Sequence, residues 1–298
     1  MSGGAGVRRR RCPAARVSGV SGVSGVTAWS GGDGWFRWVG SPVVLVLLPP
    51  SETKATGGSG APLDLDALSH RELNPVRDKL VTALVDLAAD VPASLAALGL
   101  SERQAGEVGR NAELRASATT PALRRYTGVL YDALDVPSLT KAERDRAFAR
   151  IGVVSALFGL VGGGDAIPAY RLSGGSALPA TGPLGALWRP ALTPVLAEAD
   201  EFVVDLRSGP YASLAKAPAA VVVRVVSDDG SGRRKAVSHF NKAHKGLLAR
   251  ALVRSRTEPS TVAGLVKVAA SAGLTLEETG AKTLDLVITG NPADKPAA

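Results

Sequence analysis

The first sustained apolar run of the chain is Val43-Val-Leu-Val-Leu-Leu48, stopped by Pro49 and Pro50. A continuous β-branched and apolar run without alternation predicts a strand buried on both faces. The loop after it, Ser51 to Gly60, is small and polar and ends with three glycines in four residues. From Asn74 or Pro75 onward, Val76, Leu80, Ala83, Leu84 and Leu87 recur at spacings of three and four, the stripe of an amphipathic helix. Pro75 suits a first helical turn, where a missing N–H costs nothing. A shorter unit follows at residues 93–105. Gly99 fits the position just past a helix end, and Ser101 with Gln104 forms a capping box for the next helix. Two short helices joined by Leu98-Gly-Leu100 are similar to a helix–hairpin–helix and equally to an ordinary helix–turn–helix corner.

Further along, Ile151 to Val161 reads as an apolar strand-like stretch, and Pro183 to Ala199 as a helix around Trp188. Phe202 to Leu206 and Ala219 to Val226 read as strands, and Asp228-Asp-Gly-Ser-Gly232 as a hairpin turn into Lys235 to Phe240. Lys242 to Arg254 and Val262 to Ala272 predict helices, and Leu274 to Glu278 with Thr283 to Ile288 a closing pair of strands. Strands and helices mix without strict alternation. The expected class is α+β, a mixed β-sheet surrounded by helices, in one domain over residues 43–290, with a frayed tail at 291–298.

Composition adds limits more than content. A chain of 298 residues has room for a sizeable core. Its single cysteine, Cys12, excludes an internal disulfide framework and a cysteine-based zinc site. No apolar run approaches the ~18 residues that a spanning helix needs, so the expected setting is cytoplasmic, with no membrane. The formal charge of +8 is unevenly spread: six arginines and one acid put +5 in residues 1–42, leaving +3 for the remainder. A basic chain invites a nucleic-acid reading, but most of this basicity lies outside the part patterned to fold.

Residues 17–25 are three Val-Ser-Gly triplets behind a block of four arginines, a pattern that buries no face. A secretory signal is the alternative, yet Ser and Gly interrupt its apolar stretch and no clean small-x-small cleavage site follows. The expectation is a spurious or dispensable extension at 1–42, with translation starting at Val43 or Val44.

Candidate chemistry gathers at strand ends and loops. Ser51, Glu52 and Lys54 follow the first strand; Ser155 lies in the second; Tyr170 and Arg171 precede Gly174 and Gly175. Asp205, Arg207, Ser208 and Tyr211 follow the Phe202 strand, and Lys242, Lys245 and Arg250 lie in the helix after Ser238-His-Phe-Asn241. Cations beside hydroxyls and glycines suit phosphate or carboxylate oxygens. The expected anion or DNA cleft is therefore Lys54, Arg171, Arg207, Ser208, Tyr211, Lys242, Lys245 and Arg250, with Asp205 and Glu52 as the internal acids that let its cations approach one another. No dinucleotide or phosphate-loop motif is present, no Gly-x-Ser-x-Gly elbow supports a triad of Ser208, His239 and Asp205, and His70, His239 and His244 lack metal-site spacing. No catalytic residue is assigned, and no metal or cofactor is expected.

Four of these blocks carry a family likeness. Leu47-Leu-Pro-Pro-Ser-Glu-Thr-Lys54, Ala169-Tyr-Arg-Leu-Ser-Gly-Gly175, Asp205-Leu-Arg-Ser-Gly-Pro-Tyr211 and Ser238-His-Phe-Asn-Lys-Ala-His-Lys-Gly-Leu-Leu-Ala-Arg250 resemble, in order and spacing, the successive blocks of the YaaA (UPF0246) peroxide-stress family. The likeness covers residue 43 to about 285. It departs at the first block, where better-known members place a lysine soon after a single proline; Lys54 is the counterpart. The resemblance implies a cytosolic protein that limits damage to DNA and proteins when free iron and peroxide coexist. It also implies DNA binding, not specific for sequence, through a basic cleft and a helix–hairpin–helix, here Gly99, Ser101, Arg103 and Arg110, with Arg115, Arg124 and Arg125 close behind. The alternative is an enzyme acting on a small anionic or nucleotide-like substrate held by Arg171, Arg207 and Lys242.

Because residues 1–42 show no periodicity, a chain starting at Val44 is expected to melt within about two degrees of full length in a thermal scan. A drop of many degrees contradicts this.

Overall fold

The computed structural model describes Met1 and residues 44–228, 234–236 and 241–289, the middle segment by its backbone. The hairpin turn expected at 228–232 and the block at 238–240, with His239, therefore fall largely outside the described residues. So do residues 2–43 and the tail.

The architecture is α+β. An eight-stranded mixed sheet is built from β1 (Val44–Leu48), β2 (Ile151–Ser155), β3 (Gly159–Gly162), β4 (Phe202–Asp205), β5 (Val221–Asp228), β6 (Arg234–Ala236), β7 (Thr275–Gly280) and β8 (Thr283–Thr289). Its order is β7-β8-β5-β4-β1-β2-β3, with β6 paired to β5. The five inner strands β2, β1, β4, β5 and β8 run parallel, and β3, β6 and β7 are antiparallel. β1 sits between two parallel neighbours, pairing Val46 with Ile151 on one side and with Val204 on the other. That position requires the unbroken Val-Leu-Val-Leu-Leu run.

Helices fill the crossovers: α1 (Asn74–Leu87), α2 (Val91–Leu98), α3 (Gly106–Ala112), α4 (Ala122–Arg125), α5 (Val129–Leu134) and α6 (Lys141–Arg150) between β1 and β2, α7 (Leu184–Ala197) before β4, α8 (Gly209–Ala212) after it, then α9 (Asn241–Arg254) and α10 (Val262–Ser271). None is long and apolar enough to cross a membrane. The stretch read as one strand over Ile151 to Val161 is a tight hairpin, β2 and β3. Ser155 Oγ turns the corner by accepting the N–H groups of Leu157 and Phe158 at 3.1 and 3.0 Å. The fully buried Trp188 of α7 donates its indole N–H to Ala156 O at 2.8 Å in that corner.

Two close approaches fix the layers. Gly246 of α9 lies so near α5 that a Cβ there would stand 2.2 Å from Leu130 O, so only glycine fits. Arg77 of α1 is fully buried and ties the helix to the β2–β3 hairpin, donating to Phe158 O at 2.9 Å and Leu160 O at 2.8 Å, and also to Ser69 O and Asn74 Oδ1. Burial lowers its pKa to about 10, with Asp165 and Glu72 opposing, so it stays charged at neutral pH. Removing one partner of a buried charged bond leaves carbonyls unpaired. Arg77→Met is expected to cost about 3 kcal/mol or more in urea unfolding. A loss below about 1 kcal/mol would show that the guanidinium contributes no net cross-link.

Candidate functional site at the strand ends

The chain leaves β1 toward β2 on one side and leaves β4 toward β5 on the other. Adjacent parallel strands whose connections depart in opposite directions open a crevice outside their carboxyl ends, the usual place for a ligand in such sheets. Here the crevice receives Pro49 to Lys54 from β1, Leu206 to Tyr211 from β4 and Ser155 from the end of β2.

The loop after β1 is laid on the segment around α4. Lys54 and Tyr126 form an isolated antiparallel bridge, Ala55 N–H donates to Arg125 O at 2.9 Å, and Thr127 N–H donates to Ser51 Oγ at 3.1 Å. Ser51 Oγ in turn donates to Thr53 O. Lys54 is thereby held inward, 7% exposed, with Nζ 4.1 Å from the Tyr170 ring centroid and 5.6 Å from that of Tyr126. Its donors reach Ser51 O at 2.9 Å and Glu52 O at 3.4 Å. Burial pushes its pKa down to about 7; Arg171 and Arg110 add to this, and Glu52 and Glu107 oppose it.

Glu52 links both walls. Its carboxylate pairs with Arg171 Nη2 at 3.2 Å and accepts from Ser173 Oγ at 2.7 Å, while its carbonyl accepts from Arg171 Nη1 at 3.3 Å. Tyr211, buried on the β4 side, feels the same carboxylate; burial first, then Glu52, raises its pKa. Arg171 is fixed from behind by α3, whose buried Asn111 side chain bonds both its backbone N–H and C=O, at 2.8 and 2.9 Å.

Beneath Lys54 lies a hydroxyl chain. Tyr126 OH and Tyr170 OH are 3.0 Å apart, and Tyr170 OH and Ser155 Oγ 2.7 Å. Since Ser155 Oγ already accepts two N–H groups, its own proton goes to Tyr170, and Tyr170 donates to Tyr126. Tyr131 stacks at 5.4 Å from Tyr126 and donates to Pro49 O at 2.8 Å. All four tyrosines of the chain thus converge here. Burial raises the pKa of Tyr126 to about 12 and that of Tyr170 further, so both remain proton-bearing phenols at neutral pH.

The expected site residues divide. Lys54, Arg171 and Tyr211 share the crevice with Glu52. Arg207 is adjacent but its donors are spent within the protein, on both oxygens of Asp205 at 2.9 and 2.7 Å and on Ala215 O at 2.9 Å. Lys245 donates to Arg207 O at 3.1 Å, and burial lowers its pKa against the opposing effect of Asp205. Ser208 is half-buried at the mouth of α8, and Lys242 is exposed on the first turn of α9. Arg250 lies elsewhere, tying α9 to Leu134 O, Asp135 O and Ser138 Oγ. Tyr126 and Tyr131 were missed from sequence because residues 106–150 carry no clean periodicity. Glu52 and Asp205, the two acids expected between the cations, are the ones that hold Arg171 and Arg207.

The α2–α3 corner has Gly99 in the left-handed conformation, φ +62°, and Gln104 Oε1 accepts from both the Ser101 N–H and hydroxyl at 3.1 Å. The box opens a single 3-10 turn, Glu102–Gln104, before α3, instead of one continuous helix. Arg103 and Arg124 are exposed, whereas Arg110 pairs with Glu107 and Arg115 with Asp78, at 2.7 and 2.8 Å. Arg125 is fully buried, bonded to Ala55 O, Ala118 O and Ile167 O. Among the described residues no group of three or more His, Cys, Asp or Glu side chains is placed to hold a metal ion.

Fold and crevice together define an α+β protein with a parallel-centred sheet and a polar site at the carboxyl ends of its middle strands. Residues 44–279 match the family model described as Peroxide stress protein YaaA, and the chain belongs to that family. It is 49% identical over 251 residues to a UPF0246 protein of Corynebacterium efficiens, covering 82% of this chain and 100% of the relative. A UPF0246 protein of Corynebacterium glutamicum is 44% identical over 252 residues, with 82% and 100% covered. One from Streptomyces coelicolor is 45% identical over 239 residues, with 78% and 92% covered.

The lowered pKa of Lys54 has a stability consequence. The unfolded chain keeps this proton up to the ordinary lysine value of 10.5, the folded chain only to about 7. Between those values the unfolded state binds more protons, so stability rises with pH; below 7 the full cost of burying the charge is present. Lys54→Met removes that cost. Its stability relative to the native chain should be most favourable below pH 7 and fall by several kcal/mol toward pH 10, read from urea unfolding across that range. A difference independent of pH would contradict a buried amine with a shifted pKa.

Proposed function

We propose that this peroxide-stress family member works through the β1–β4 crevice, as an enzyme on a small anionic substrate held by Arg171. The observation that carries the reading is the meeting of Arg171 and Ser173 on the Glu52 carboxylate, with Lys54 on the carbonyl of the same residue and the buried Tyr211 feeling its charge, at a topological switch point. A guanidinium already paired with an internal acid is oriented for an incoming anion, which would take the place of that acid. Arg207, committed to Asp205, orders the opposite wall and does not bind substrate. The test is thermal stabilisation of the full chain by inorganic phosphate and nucleoside monophosphates. A ligand at about 100 times its Kd stabilises by about 2.7 kcal/mol. That gain should vanish in Arg171→Ala, which should also fail to restore peroxide resistance to a deletion strain. Equal stabilisation of the variant, or none of either, counts against the site.

A second reading is that the protein limits iron and peroxide damage by holding DNA on the α2–α3 corner. It is favoured by the left-handed Gly99 between the two helices and the exposed Arg103 beyond it. Phosphate-driven affinity falls by about 0.9 log unit per log unit of salt for each phosphate neutralised. Replacing Arg103 and Arg110 by Ala should therefore flatten the slope in duplex-binding titrations. An unchanged slope and affinity remove the corner from any DNA surface.

A further inference from the structure

Among the described residues most of the buried cations cross-link the fold. Arg77 joins α1 to the β2–β3 hairpin, Arg125 joins residues 55, 118 and 167, and Arg150 bonds Leu252 O, Ser255 O and Glu258. Each spans elements far apart in sequence, so its burial returns a cross-link. Lys54 does not. Among the described residues its hydrogen bonds go only to Ser51 O and Glu52 O, two and three residues back in its own loop. A methionine would fill the same volume without the cost of desolvating an amine. Apart from the faces of Tyr170 and Tyr126, 4.1 and 5.6 Å from Nζ, the buried amine reaches no other element among the described residues and makes no hydrogen bond across the fold, which points to chemistry.

The surroundings specify which chemistry. A neutral lysine amine has two N–H groups and one lone pair, and two carbonyl acceptors are the number its N–H groups require. With a pKa near 7, much of Lys54 is free amine at neutral pH. The hydroxyl chain from Ser155 through Tyr170 ends on Tyr126, a phenol that keeps its proton and whose ring centroid lies 5.6 Å from Nζ. Arg171 stands on the other side of Glu52, and the chain neighbours of Lys54 and Tyr170, at Thr56, Gly57 and Ala169, line a hollow of about 220 Å³ with Arg110 and Glu113. A nucleophilic amine, a phenolic donor and a guanidinium suit a carbonyl carbon with an anion a few atoms away.

We infer that Lys54 forms a Schiff base with an aldehyde that carries a phosphate or comparable anionic group. The amine lone pair adds to the carbonyl carbon to give a carbinolamine. The C–O bond then breaks, the carbonyl oxygen leaves as water with the two protons of the amine, and a C=N bond replaces C=O. Tyr126 hands a proton to the departing oxygen and regains one from nitrogen, so no oxidant or reductant is needed. The inference deepens the crevice reading, since Arg171 would hold the anionic end, but the covalent bond is tested separately.

The full chain is incubated with glycolaldehyde phosphate and sodium cyanoborohydride, and labelling is read by peptide mass spectrometry. Lys54 should be alkylated at least about tenfold faster than the exposed lysines at pH 7, because its free-amine fraction is far larger there. Its rate should level off just above pH 7 while theirs continues to rise. Lys54→Arg should lose that label and keep the others. Labelling of Lys54 no faster than that of exposed lysines overturns the inference. Glycolaldehyde, which lacks the phosphate, separates the two layers of the argument: equal rates with both aldehydes overturn the anionic half of the substrate, and with it the Arg171 reading, while leaving the amine assigned. Reductive cross-linking of Lys54 to a duplex bearing an abasic-site aldehyde, faster than to glycolaldehyde phosphate, assigns the same chemistry to a DNA-borne source.

Discussion

Everything at the candidate site depends on the ladder that holds β1 between β2 and β4. Parallel pairing on both sides forces β1 to be apolar along its whole length and brings three strand ends to one edge of the sheet. The chain must then leave β1 and β4 in opposite directions, and the space between the two exits has to be lined by loop residues. Glu52 and Lys54 from one exit meet Tyr211 from the other because of that topology, not because of any local affinity. A register slip of one residue in β1 would turn its core-facing side chains over and displace the loop that carries Glu52 and Lys54.

Burial then sorts the cations. Guanidinium groups at Arg77, Arg125, Arg150 and Arg207 sit deep in the protein, yet each spends its donors on several carbonyls or a carboxylate, which compensates the loss of water. The buried Lys245 also reaches another element, donating from α9 to Arg207 O, whereas Lys54, among the described residues, hydrogen-bonds only within its own loop. A buried lysine bonded only within its own loop is therefore a different kind of feature, and its lowered pKa follows from the same desolvation that the arginines offset. The hydroxyl chain below it is neutral for the matching reason: phenols in a dry environment hold their protons.

Much of this was legible in the sequence. The unbroken run of β1, the Pro75 start of α1, the left-handed Gly99 and the closing strands are dictated by local rules, and the resemblance in four blocks picked out Lys54, Arg171 and Tyr211. What stayed hidden was set by tertiary contact. The apolar stretch after Ile151 has the composition of one strand and folds as two, because Ser155 can satisfy the corner's N–H groups. Arg207 and Arg250 look like ligands by composition, and only the partners they reach, Asp205 for one and the end of α5 for the other, reveal cross-links. Tyr126 and Tyr131 lie in a region without periodicity and were not singled out; that the chain has only four tyrosines is the one signal that could have led to them. Arg125, grouped with the basic strip behind the α2–α3 corner, is instead fully buried and holds carbonyls of three separate segments.

The central claim is that Lys54 is a poised amine in a dry, tyrosine-lined crevice. The most direct test is its own titration, followed by NMR on the full chain after reductive ¹³C-methylation of lysines, with Lys54→Arg to assign the resonance. The account predicts a midpoint near 7, well below that of the exposed lysines. A midpoint among the exposed lysines, near the ordinary value of 10.5, would contradict it.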